Sequence, residues 1–401
     1  MVSKMKIAYF SPLNPVKSGI SDYSEEILPF LSEYFDIDLL IDPSWQPKSY
    51  TIKNAFDLVP FEDASFDPSR YDAIIYHMGN DYKAHRCIYD SLKKYPGIVV
   101  LHDLVLQGFY AERYDETGDF HSYRKLLEKH YSDRGTRIAE RIRLKLPDLI
   151  WESEKALEYP LNEEVLEAAK AVIVHSDFVK ERIRSKVNKP VIKINHHGHI
   201  NKEFDAEQTR KSLGIGKEEI LICSAGYINK NKRYESILSA LSEIEEFPFK
   251  YLIAGKDRGG LLENYVKGDE PYLIKLGHLP IGKLEEIINA SDMCINLRYP
   301  TMGESSGSLL RMMGYGKPTL ITDYGSYAEF PDYCAVKILP DIDEKEMIKR
   351  SVTALALDAD FRISLGREAK NFVDKECDIK RCAREYAGFI KSLKEKKSQT
   401  P

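Results

Sequence analysis

The sequence predicts an α/β protein made of two doubly wound, Rossmann-like domains that face one another across a cleft. Three observations carry this. A chain of 401 residues accommodates two domains at roughly 100–200 residues each. Its short apolar runs are rich in Ile, Val, Leu and Tyr and lack clean alternation, the mark of parallel strands buried on both faces. Helical patterns separate most of these runs, and the alternation starts afresh after a polar, turn-rich stretch at 196–209.

In chain order, the first half offers strands at 6–11, 37–41, 73–77, 97–102, 171–175 and 191–194. The second half offers 220–225, 251–254, 272–276, 293–297, 319–322 and 335–338. Helices are expected between them, for example at 23–34 and 233–244, and a long helical excursion at 111–166 interrupts the first half. Within that excursion, residues 121–146 carry eight Lys or Arg against three acids, a local charge of +5. This reads either as a solvated helix face or as a landing surface for an anionic membrane or acceptor. The last eleven residues, KSLKEKKSQTP, read as a frayed polar tail.

Composition removes several classes. The net charge of −5 argues against a bulk nucleic-acid binder. No apolar run reaches the ~18–20 residues that span a bilayer, and the apolar core of the first ten residues is too short for a signal segment. The six Cys are scattered without a C-x-x-C pair, so a zinc site or disulfide framework is not expected and the compartment reads as cytoplasmic. No G-x-G-x-x-G follows the first strand, which disfavours a dinucleotide oxidoreductase.

Four strand-to-helix junctions hold the candidate chemistry, since doubly wound sheets bind ligands at the carboxyl ends of their strands. The first is the loop of Ser18 and Gly19 before a helix expected near Asp22, where backbone N–H groups can approach a phosphate or sugar. The second is His102-Asp103, a polar pair where an apolar strand stops, suited to a sugar hydroxyl or a developing charge. The third runs from Gly226 to Lys232 and Arg233, cations able to neutralise a diphosphate leaving group. The fourth is Gly303-Glu304-Ser305-Ser306-Gly307, opening a helix that turns apolar. Ser305, Ser306 and Gly307 can offer free N–H groups to phosphate. A carboxylate beside an anion site suits hydroxyl donors, so Glu304 points to a sugar.

From Ser18-Gly19 through Val100-Leu101-His102-Asp103, Val174-His175-Ser176, Gly226…Lys232, Ala254-Gly255, Leu276-Gly277, Glu304…Gly316-Lys317-Pro318 and Thr322-Asp323-Tyr324-Gly325…Glu329, the chain resembles glycosyltransferase family 4, the "group 1" retaining enzymes of GT-B fold. The resemblance implies transfer of a hexose from a nucleotide-diphosphate sugar to a glycan or lipid-linked acceptor, with no cofactor and no catalytic metal. It implies an acceptor domain at 1–200, a donor domain at 201–377, and a final helix at 378–393 crossing back to the first. By position, Lys232 matches the diphosphate-binding Lys, Gly19 the loop closing over the donor, and His102 the His near the donor sugar. His102, Glu304 and Lys232 are thus the catalytic candidates. Gly19, Gly226, Arg233, Ser305, Ser306, Gly307 and Arg311 are the donor-binding ones, and Asp22 and Asp103 face the acceptor.

The chain departs from the family pattern in two places. Tyr227 stands where the family often has an Arg after Gly226, so a phosphate clamp is lost or supplied by Arg233, Arg298 or Arg311. The family's two Glu separated by seven residues would fall at Gly303 and Arg311; Glu304 lies one place off and the second Glu is absent. Arg311 then either faces the diphosphate or forms a structural ion pair. The triplet of His196, His197 and His199 resembles a metal cluster but sits where the chain leaves the first half, and reads as a turn. A nucleotide-sugar epimerase or hydrolase on the same fold, or a non-catalytic nucleotide-sugar binder, are the alternative functions.

Overall fold

Apolar runs short enough for strands become two all-parallel sheets in the computed structural model, which describes residues 4–398 apart from 63, 147, 148, 199, 201, 258, 267 and 269. The chain divides into two compact units. The first comprises Met1–His197, Met302–Ser305 and Ile379–Pro401; the second comprises Gly198–Thr301 and Ser306–Asp378.

In the first unit the strands are β1 (Met5–Phe10), β2 (Phe35–Ile41), β3 (Asp57–Pro60), β4 (Ala73–Met78), β5 (Ile98–Leu101), β6 (Ala171–Val174) and β7 (Val191–Lys193), in the order β3-β2-β1-β4-β5-β6-β7. The central β5 and β6 are buried throughout, as their unbroken apolar sequences require. One face packs against the helices Tyr82–Lys94, Gln107–Thr117 and Phe120–Arg143; the other packs against Gly19–Leu31 and Ile379–Ser398. Across that second face the Tyr23 and Tyr386 hydroxyls meet at 2.8 Å. β3 escapes sequence reading because it is a four-residue edge strand, half exposed and ending in Pro60.

The second unit holds β8 (Ile220–Ala225), β9 (Phe249–Ala254), β10 (Leu273–Gly277), β11 (Met293–Asn296), β12 (Thr319–Thr322) and β13 (Val336–Ile338), in the order β10-β9-β8-β11-β12-β13. In both sheets the order reverses direction beside the first strand of the unit, between β1 and β4 and between β8 and β11. Doubly wound sheets as a rule bind ligands at such a reversal, beside the carboxyl ends of the strands.

Three expectations change. The helix expected near Asp22 starts at Gly19, because the Ser18 hydroxyl caps it by accepting from the Ile20 N–H at 3.2 Å. The basic excursion is not one straight face. Its helix bends at Ser132 (φ 53°, ψ −138°). Arg143 then reaches Glu140 at 2.8 Å, while Lys129 reaches Glu164 at 2.5 Å. The tail expected to fray continues as helix to Ser398, and residues 399–401 lie outside the described set.

Candidate active site

In the first unit three neighbouring strands each deliver a histidine at or just past their carboxyl ends: His77 on β4, His102 after β5 and His175 after β6. His77 Nδ1 lies 2.9 Å from His102 Nε2. His175 Nδ1 donates to the Ile194 carbonyl at 2.8 Å. The ring of Tyr23 stands edge-on to His102, with centroids 4.9 Å apart, and also touches His77, His175, His196 and His197. Burial, then the charge of neighbouring histidines, pushes His77 and His102 well below the usual imidazole range; burial brings His175 down to about 4. The cluster is therefore neutral at pH 7.

Asp103 follows on the same loop, and its Oδ2 accepts from the Asn80 N–H at 2.8 Å. The Asn80 side chain in turn accepts from the Phe109 N–H, also at 2.8 Å, which locks the loops after β4 and β5 together. After β1, Asp22 accepts from the Asn14 amide at 3.0 Å, and a Cβ built on Gly19 meets nothing within 4 Å. No protein atom requires a glycine at 19, and the space over it is open.

Glu304 belongs to this unit too, in the segment Met302–Ser305. Its carboxylate accepts from the Met302 N–H at 2.7 Å and is nearly buried. The Met302 carbonyl accepts from the Val105 N–H at 3.0 Å, which clips the segment to the loop just beyond His102. Gly303 makes this possible. Its φ is +76°, and an added Cβ would stand 2.5 Å from Leu104 Cβ. Ser305 is half-buried beside it.

In the second unit the loop after β8 carries Gly226 at φ +110°, a conformation that L side chains rarely adopt. The Lys232 ammonium bonds the Ala225 carbonyl at 3.2 Å, and a Cβ built on Gly226 would lie 3.3 Å from Nζ. A buried cation is thus held at the tip of β8. Asn231 ties this loop to the one after β11: its amide donates to Pro300 O at 2.6 Å, and its carbonyl accepts from the Tyr299 N–H at 2.7 Å. Ser306 caps the helix Gly307–Gly314, its hydroxyl accepting from the Leu309 N–H at 3.2 Å, so Gly307 sits in the first turn where N–H groups lack intrahelical partners.

Two donor-binding candidates have other company. Arg233 grips Glu344 with two nitrogens at 2.5–3.0 Å, and that carboxylate holds its charge firmly on. Arg311 is buried and bonds Glu285 at 3.0 Å. Of the two readings open for Arg311, the geometry supplies the ion pair. Sequence reading missed both carboxylate partners, which lie more than 20 residues away along the chain. It also passed over His77, although the signal was present: three apolar strands ending in Tyr76-His77, Leu101-His102 and Val174-His175. Of the histidine triplet, His196 and His197 pack on Tyr23, and His199 lies outside the described residues.

No protein-family model matches the chain. An uncharacterized glycosyltransferase of Methanocaldococcus jannaschii is 28% identical over 236 residues, 57% of this chain; the match spans 60% of that relative's length. Among solved structures, a sucrose-phosphate synthase from Thermosynechococcus elongatus aligns with TM-score 0.68 and 15% identity, over 97% of this chain and 99% of its own. The HepE protein of Anabaena, solved with UDP and glucose, aligns with TM-score 0.65 and 14% identity, over 97% and 100%. WaaG, a glycosyltransferase involved in lipopolysaccharide biosynthesis, aligns with TM-score 0.60 and 14% identity, over 96% and 99%. The chain has the GT-B fold of these proteins. Among the described residues no helix is long and apolar enough to cross a membrane.

Proposed function

We propose that this chain is a retaining glycosyltransferase that moves a hexose from a nucleoside-diphosphate sugar to a glycan or lipid-linked acceptor. The observation that carries the reading is Lys232, a buried ammonium at the tip of β8, beside a glycine on which a side chain would press against that ammonium. A cation there stabilises the charge that develops on a departing diphosphate and needs no metal to do so. The N–H groups at the start of the Gly307–Gly314 helix add a second anion-binding element. The likeness to a curated glycosyltransferase, and to folds solved with UDP or UDP-glucose, supports the same reaction class.

In this reading the bond from the anomeric carbon to the diphosphate breaks first, and its electron pair leaves with the phosphate oxygen. The acceptor hydroxyl attacks the same face of the oxocarbenium-like centre, and its proton passes to the leaving oxygen. Glu304 holds sugar hydroxyls and His102 faces the donor sugar, while Asp22 and Asp103 serve the acceptor side. A basic stretch at 121–146 brings a lipid-linked acceptor near an anionic cytoplasmic surface. The test is a thermal-shift screen of nucleotide sugars followed by mass spectrometry of the products. A stabilising donor together with a hexose-extended acceptor supports the proposal; a free, altered sugar points to an epimerase or hydrolase instead.

A further inference from the structure

We propose that His77 is a positioning residue that fixes the proton of His102 on Nδ1, so that His102 meets its ligand as a hydrogen-bond donor rather than as a base. One proton is shared in the 2.9 Å contact between His77 Nδ1 and His102 Nε2, and either ring can supply it. The surroundings decide which. His77 Nε2 is buried and has no hydrogen-bond partner among the described residues. If His102 donated, the neutral His77 would carry its own proton on that nitrogen, as an orphaned N–H. A buried donor without an acceptor is the rarer arrangement; an unfilled lone pair is better tolerated. His77 therefore keeps its proton on Nδ1 and donates, which leaves His102 Nε2 bare and its proton on Nδ1.

Two other buried histidines, His175 and His85, follow the same pattern. The Ile194 carbonyl accepts only, so His175 must carry its proton on Nδ1, and its buried Nε2 is bare. The Asp81 carbonyl imposes the same state on His85, whose Nε2 is also buried without a partner among the described residues. The Tyr9 ring, 4.6 Å from the His77 ring centre to centre, holds His77 in place. Burial disfavours a charged imidazole at each of these positions. With Nε2 occupied by the His77 N–H, His102 cannot take a proton there. Its Nδ1–H suits a hydroxyl or ring oxygen of a sugar, and this consequence rests on the transferase reading of His102.

The experiment is long-range 1H–15N spectroscopy of imidazole-labelled, ligand-free chain at pH 7, comparing wild type, His77→Asn and His77→Asp. The Asn amide nitrogen falls where His77 Nδ1 stands, so it retains the donor; an Asp carboxylate there only accepts. Wild type and His77→Asn are expected to show His102 protonated on Nδ1 with Nε2 bare, and His77→Asp to draw a proton onto His102 Nε2. An Nε2–H signal for His102 in wild type overturns the assignment, as does a bare Nε2 in folded His77→Asp. Should His77→Asp not fold, the wild-type and His77→Asn spectra still decide. These spectra involve no substrate, whereas unimpaired sugar transfer by His102→Ala would overturn the catalytic reading alone.

Discussion

Replacing Lys232 by Met removes the ammonium at the tip of β8 and keeps most of the buried stem. Lys232 is only 5% exposed, so a phosphate that meets it does so largely out of water. A hydrogen bond to a charged group in such a place contributes about 1.5–3 kcal/mol. At 1.4 kcal/mol per decade, that is roughly a 10- to 150-fold rise in Kd for a nucleoside diphosphate. Little stability is expected to change, because Met fills a similar volume and the contact to the Ala225 carbonyl that it gives up is a long one, at 3.2 Å. The assay is calorimetric titration with UDP and with GDP, paired with a urea unfolding curve. Because the contact is shielded, the loss is expected to persist at 0.5 M salt, where exposed charge pairs are screened. An unchanged Kd for whichever nucleotide binds wild type, with the fold intact, refutes the role assigned to Lys232.

Other consequences follow from the same geometry. Gly303→Ala forces a side chain into φ +76° and onto Leu104, so it should destabilise the first unit by about 1–3 kcal/mol and reduce turnover more than nucleotide affinity, measured by unfolding midpoint and kinetics. Arg311→Met alone strands the Glu285 carboxylate in the interior and should cost about 3–5 kcal/mol, while Arg311→Met with Glu285→Met should recover most of that and leave nucleotide Kd within a few-fold; a large loss of affinity in the folded double variant would return Arg311 to the donor site. The histidines at the strand ends have folded pKa values below their unfolded value of about 6.5, so the unfolded chain binds more protons and stability falls as pH drops from about 6.5 through 4. His175 alone contributes up to about 3 kcal/mol to that loss, read as a lower urea midpoint at pH 5 than at pH 7; equal midpoints contradict a neutral buried cluster.

Most strands were legible because a fully buried parallel strand must be apolar at every position. β8 and β12 fall on the expected bounds, 220–225 and 319–322, and most others lie within two residues. The exception, β3, is stabilised by its neighbour rather than by its own composition: it pairs with β2 from Asp38–Asp57 to Ile41–Pro60 while remaining half exposed. Loop positions were legible for a related reason, since a glycine or polar residue directly after an apolar run marks a carboxyl end. What those loops do was only half legible. Arg233 and Arg311 look alike on paper as phosphate ligands, yet each meets a carboxylate more than 20 residues away in the chain, Glu344 and Glu285. Long-range ion pairs leave no local pattern. The +5 stretch at 121–146 shows the same limit, because Lys129 is answered by Glu164 from outside the helix. The membership of Met302–Ser305 in the first unit also had no local signal: it depends on the Met302 carbonyl meeting the Val105 N–H.

The proposed reaction is sugar transfer from a nucleoside diphosphate sugar with retained configuration. Its most direct test is proton NMR of the product formed in the first minutes of reaction with the donor that stabilises the chain. The expected result is release of the nucleoside diphosphate, a new glycosidic anomeric signal of the same configuration as the donor sugar, and loss of both in Lys232→Met. An inverted anomeric signal contradicts the proposed mechanism; a bound nucleotide sugar that stays intact beside glycan and lipid-linked acceptors contradicts the transferase itself.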